Sequence, residues 1–312
     1  MKGKIIQLFC FSLIVLGIVF CSQVSSHAQL IGSVSDVVEN IGDSGKVDWT
    51  NGVVMAVGIG APPANAVNAA QARAMAKRAA IVVAQRNLLE ALKGVRVDSE
   101  TLVENFITTS DKIRTAVQGI IRGASEMKTQ YMSDGSVEVT IGVKLAGPLA
   151  EELLPKPAGP PQPVVPPAPP TAPSTPAAPS TSAAPTGPSV AAVPSGPSGP
   201  VLTGLVVDSR GLNVRPAMAP KILNEEGREV YGSAFVKREY AIQQGMAGYS
   251  KDLAAAQINP RVTNNPLTAK GLRASGSSKT DVVISNADAA AIHSAASNLS
   301  FLSNCRVMIV VD

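Results

Sequence analysis

Between Pro155 and Pro200 the chain places 17 of its 24 prolines, among many alanines, serines and threonines and a single charge, Lys156. No pattern of large apolar residues runs through this stretch, so it has nothing from which to build a core of its own. Its composition favours extended polyproline-II backbone at about 3.1 Å per residue, a reach of up to ~140 Å. Gly187, Gly196 and Gly199 shorten the expected mean span. The segment divides the chain into residues 29–154 and 201–312, each long enough for a modest core. It reads either as a spacer that crosses a crowded layer such as the cell wall, or as a neutral linker without defined reach.

The N-terminus sets the expected compartment. Lys2 and Lys4 precede an almost uncharged apolar run from Ile5 to Cys21, and a polar stretch ends in Ser26-His27-Ala28. Residues 1–28 therefore read as a signal peptide cleaved between Ala28 and Gln29, too short and wrongly flanked for a comfortable spanning helix. An uncleaved anchor is the alternative. Lipidation at Cys21 is disfavoured, because Phe20 stands where a lipoprotein signal needs a small residue. Export to the periplasm follows, with association to the outer membrane as a further expectation.

Cys10 and Cys21 leave with the signal, so Cys305 remains alone and the mature chain makes no internal disulfide. In a strand-like apolar run it reads as a small buried hydrophobe. Residues 29–154 carry 12 basic and 14 acidic side chains, and residues 201–312 carry 12 and 9. Neither balance provides the clustered basic surface that nucleic acid requires.

The first module reads as α+β. Val53 to Ile59 form a strand, Asn65 is placed to cap a helix from Ala66 to Lys93, and Gly94 stops it. Val67, Ala70, Ala74, Ile81, Leu88 and Leu92 share one face of that helix at helical spacing. A shorter helix is expected over Glu100–Phe106. Ile113, Thr115, Val117 and Ile121, then Met127, Thr129 and Tyr131, alternate as strands do. Ser133-Asp134-Gly135 supplies a turn, and Val137, Val139, Ile141, Val143 and Leu145 alternate with polar or small residues on the return strand. The expected architecture is a helix packed on an antiparallel sheet.

The segments AAQARAMAKRAAIVVAQRNLLEAL and VQGIIRGASEMKTQYMSDGSVEVTIGVKL, in that order after a strand, resemble the LPP-twenty lipoprotein family and the amino-terminal domain of flagellar assembly protein T. The resemblance covers roughly residues 46–146. It implies an outer-membrane or periplasmic location, a role in envelope or flagellar assembly, and no active site. The chain departs from that family in lacking a proper lipidation site.

The second module reads as a small α/β domain. Leu205–Val207, Asp281–Ile284 and Val307–Val311 are nearly continuous apolar runs, as in strands covered on both faces. A helix from Asn286, as cap, to about Asn298 links the last two, which implies a crossover and a parallel strand pair. Lys221 to Tyr231 reads as a hairpin around Glu225-Glu226-Gly227, and Lys251 to Ala256 as a short helix.

Catalytic arrangements are poorly supported. After the signal the only histidine is His293, in an alanine-rich helix where it reads as a packed or surface residue. No Cys/His cluster has metal-ligand spacing, and no cofactor is expected. Gly58-Ile59-Gly60 imitates a dinucleotide loop, but Pro63 stands where the third glycine should be, and the glycines are expected to let the chain turn into the helix. The strongest ligand-site candidate assumes parallel strands whose carboxyl ends share an edge. That edge would gather Asp208, Arg210 and Arg215 with Ser285, Asn286 and Asp288 at a helix start. The bland alternative has Asp208 and Asp288 capping turns while the two arginines pair with them. The sequence thus points to a non-catalytic envelope assembly or scaffold protein whose partners are envelope or flagellar-type proteins, with cell-wall contact. The alternative is a periplasmic module binding an anion or wall fragment.

Overall fold

Period-two alternation drives the first sheet. In the computed structural model, which describes residues 36–155, 202–263 and 265–312, Val137, Val139, Ile141, Val143 and Leu145 are all buried on one face, as their spacing requires. They belong to strand β5 (Val137–Lys144), which pairs antiparallel with β4 (Ser125–Tyr131) and β3 (Val53–Gly60). Strands β1 (Val38–Ile41) and β2 (Gly45–Asp48) complete the order β1-β2-β3-β5-β4. The expected signal peptide and its Ala28–Gln29 junction, Cys10, Cys21 and residues 156–201 lie outside the described residues.

Helix α1 (Ala69–Lys93) lies across β3 and β5, capped by Asn68, whose side chain accepts from Gln71 N, not by Asn65. It buries Ala76, Ala80, Ala84, Leu88, Ala91 and Leu92. Of the face expected from the sequence, Leu88 and Leu92 are buried, while Val67, Ala70 and Ala74 are exposed. The cause is Gly58 and Gly60. A Cβ at Gly58 would lie 2.2 Å from Ala84 N, and one at Gly60 would lie 2.1 Å from Ala76 O. These glycines sit inside β3 and bring strand and helix backbones together, which corrects their expected role in a turn. The short helix expected over Glu100–Phe106 is α2 (Val103–Thr109).

The stretch expected as a strand through Ile113 and Ile121 is instead helix α3 (Asp111–Arg122), started by Ser110. Val117 and Ile121 are buried four residues apart, Ile113 and Ile120 pack against the core beside them, and Thr115 is exposed. Helical spacing prevails there over the apparent alternation. Helix α4 (Pro148–Leu153) closes the module.

The second module is a mixed sheet of order β8-β7-β11-β10-β6-β12-β9. Its strands are β6 (Gly204–Asp208), β7 (Ile222–Leu223), β8 (Glu229–Tyr231), β9 (Gly248–Ser250), β10 (Pro266–Ser275), β11 (Asp281–Ile284) and β12 (Val307–Val310). Parallel pairs join β6 to β10 and β12, β12 to β9, and β11 to β7. The hairpin β7–β8 and a helix between β11 and β12, α7 (Asn286–Leu299), form as expected. Two smaller helices, α5 (Arg238–Gln244) and α6 (Leu253–Gln257), flank the sheet. The chain is therefore α+β, with a helix on an antiparallel sheet followed by an α/β module containing parallel strands.

One expected pairing is corrected. β11 runs antiparallel to β10, whereas β10 and β12 both run parallel to β6. β11 and β12 are thus neither neighbours nor parallel. The switch occurs along β10: Pro266–Lys270 pair with β6, and Gly271–Ser275 pair with β11 across an irregularity at Gly271/Arg273.

The two modules share their interior. Val54, Leu88 and Ile141 from the first, and Leu205, Ile284 and Phe301 from the second, belong to one contiguous hydrophobic cluster. Backbone bonds join the modules as well, including Met218 N to Arg96 O at 3.0 Å, Ala219 N to Val97 O at 2.7 Å and Gly147 N to Ile242 O at 2.6 Å.

Candidate functional site

The predicted ligand residues separate once the strand directions are known. At the end of β6, Arg210 clasps Asp208 in a two-point ion pair, Nε to Oδ1 and Nη2 to Oδ2, each 2.8 Å. The hydrogen bond from Arg210 holds the Asp208 carboxyl below its ordinary range despite partial burial. At the end of β11, Ser285 Oγ accepts from Asp288 N at 3.0 Å and bonds the Asp288 carboxylate at 2.9 Å, a capping arrangement that starts α7. Asn286 N donates to Glu225 at 2.9 Å. Because β6 and β11 run oppositely on either side of β10, these groups do not meet at one edge.

Arg215 goes elsewhere. Its Nη2 donates to Glu39 Oε1 at 3.0 Å, across the module boundary. Glu39, on β1, is the centre of a charged cluster that the sequence alone does not reveal. Arg96, buried just after α1, donates from Nη1 to Glu39 Oε1 at 3.0 Å and from Nη2 to Oε2, and its Nε reaches Pro216 O at 2.8 Å. Trp49 Nε1 donates to Glu39 at 3.2 Å, and the Arg96 guanidinium stands 5.9 Å from the Trp49 ring centre. Burial alone would raise the Glu39 carboxyl, but the bonds and charge of Arg96, with Trp49 and Arg215, outweigh it and lower its pKa below 4.5.

Trp49 then meets Tyr249 edge-on, with ring centres 5.8 Å apart. The Tyr249 hydroxyl accepts from Ala217 N at 3.0 Å and donates to Ala217 O at 2.8 Å. Beside this pair a cleft of about 290 Å³ opens between the modules, at the small end for ligand sites. Arg261 and Lys144 are the charged side chains in its lining, and no acidic side chain contributes.

Cys305 is buried with its thiol pushed up to about 11, first by burial, so it is not poised as a nucleophile. His293 is exposed on α7, with its ring centre 6.1 Å from that of Phe235.

Comparison with known proteins adds one likeness. Residues 204–312 match the family model described as Treponema pallidum Tp0624, second domain. The match begins at the first residue of β6 and runs through the second module. No curated protein matches the chain.

Proposed function

We propose that this chain is an exported, non-catalytic assembly or scaffold protein of a bacterial envelope. It works in the periplasm, in contact with outer-membrane or flagellar-type components. The supporting observation is the joint packing of its modules around the Glu39–Arg96 cluster, which makes a single body able to hold partners at fixed separation. Its outward sheet face supplies a docking surface: Val53, Met55, Val57 and Ile59 line the open side of β3, with Ile59 56% and Met127 51% exposed. The match to the second domain of Treponema pallidum Tp0624 agrees with a bacterial setting and carries no activity with it.

In-cell photo-crosslinking from position 59 or 127, followed by mass spectrometry, tests this reading. Recovery of outer-membrane or flagellar basal components supports it. A protein that crosslinks to nothing from either position and fractionates freely in the periplasm overturns it.

A further inference from the structure

We propose that the cleft between the modules binds a small carboxylate that also carries amide and hydroxyl groups, of which an N-acylated sugar acid is the type. The inference starts from Arg261. Its guanidinium is held by three backbone carbonyls: Nη1 donates to Gly245 O at 3.1 Å and Cys305 O at 3.0 Å, and Nη2 donates to Gln244 O. A guanidinium has five N–H donors. The Nε–H and one Nη2–H are not used in these three bonds.

The charge of Arg261 is not neutralised by a carboxylate among the described residues. The ionisable groups acting on it are Tyr231, Cys305 and Tyr249, all of which stay neutral near pH 7 because burial raises their pKa values. A largely buried cation surrounded by neutral groups is costly, and an anion entering the adjoining cleft relieves that cost. Gly248 lets β9 pack closely beside Arg261: a Cβ there would lie 3.0 Å from Arg261 Nε and 2.5 Å from Met308 Sδ.

The rest of the lining defines the ligand. Lys144, exposed at the end of β5, adds a second cation at the rim. Asn51, Gln243 and Asn259 add side-chain amides; Asn51 Nδ2 donates to Asp48 and Asn259 Oδ1 accepts from Arg261 N, so Asn51 offers its oxygen and Asn259 its NH2 group to a ligand. With cations, amides and no acidic group, the lining suits an anion carrying its own donors and acceptors. A bare inorganic anion would fill little of about 290 Å³. A one-ring N-acylated sugar acid supplies a carboxylate, an amide and hydroxyls at that scale.

The test is titration calorimetry of the purified full chain with N-acetylmuramic acid. N-acetylglucosamine serves as the neutral counterpart and inorganic phosphate as the bare anion. Binding of the acid at least about tenfold tighter than either control is expected, the gain from charge-assisted hydrogen bonds to a defined carboxylate. Arg261→Lys should weaken it by about tenfold or more, since the planar two-point contact is lost. Lys144→Gln, a surface change, should weaken it by roughly threefold at low salt, with the difference shrinking as salt rises. Should Arg261→Lys fail to fold, the Lys144→Gln comparison still decides. No binding of the acid, equal binding of the neutral sugar or of phosphate, or an affinity untouched by Lys144→Gln would each overturn the proposal.

Discussion

Gly58 has no space for a side chain, because Ala80 O and Ala84 N would lie 2.3 Å and 2.2 Å from its Cβ. Gly58→Ala must push α1 off β3, so a loss at or above the upper end of the ~1–3 kcal/mol typical of overpacking is expected. Gly119, exposed on α3 with nothing within 4 Å of a built Cβ, is the control. Alanine there should stabilise by about 0.5–1 kcal/mol. Urea unfolding of both variants measures the contrast. Helical spacing puts alanines on the buried face but selects Ala70 and Ala74, whereas the strand glycines select Ala76, Ala80 and Ala84 opposite them. Cys305 is an instance where residue type sufficed. Its thiol, buried and raised to about 11, should resist iodoacetamide in the native protein at pH 8 and react once the chain is unfolded in urea. Rapid native labelling would contradict that.

Helix α7 illustrates what elements reveal and conceal. Its existence followed from the polar start at Ser285-Asn286 and the alanine run beyond, and only its cap differs, since the bonds to Asp288 come from Ser285. The direction of the strands it connects could not be read. β10 pairs with one neighbour through its first half and another through its second, and no local pattern encodes that switch. The predicted ligand edge depended on it, so Asp208 and Arg210 stand apart from Ser285 and Asp288 in the fold. α3 is ambiguous for a different reason: its β-branched residues imitate a strand, although Ile113, Val117 and Ile121 also fit a helical period. Ser285→Ala should cost about 1 kcal/mol through the N-terminus of α7, as for other lost caps. Hydrogen exchange should show faster turnover confined to the first turn of that helix. Unchanged exchange there would mean that the Ser285–Asp288 arrangement contributes nothing to capping.

At the scale of the whole molecule, the contact between modules is where charge matters most. Arg96 sits in the apolar run Val95-Arg96-Val97, an arginine among buried valines, and that is the one sequence signal that an ion pair must meet it. Its partner Glu39 lies 57 positions away, with no local clue to the pairing. Since the modules share a core, the protein should unfold in one calorimetric transition at neutral pH. Glu39→Gln leaves Arg96 without a counter-charge and should cost about 2–3 kcal/mol, on the order of 5–10 °C in Tm for a folded region of this size. Because the Glu39 carboxyl is lowered below 4.5, its contribution is complete above that pH and disappears as pH falls through the folded-state value. Asp281 acts in the opposite sense. Burial raises its carboxyl, so acid protonates it more readily when folded and favours the native state. Comparing wild type with Glu39→Gln at each pH removes that shared effect. Their Tm difference should therefore be full at pH 7 and contract toward zero in strong acid. Two resolved transitions in the wild type at pH 7 would mean that the modules do not unfold as one unit, and a difference that persists undiminished in acid would mean that the Glu39 charge does not carry the contribution.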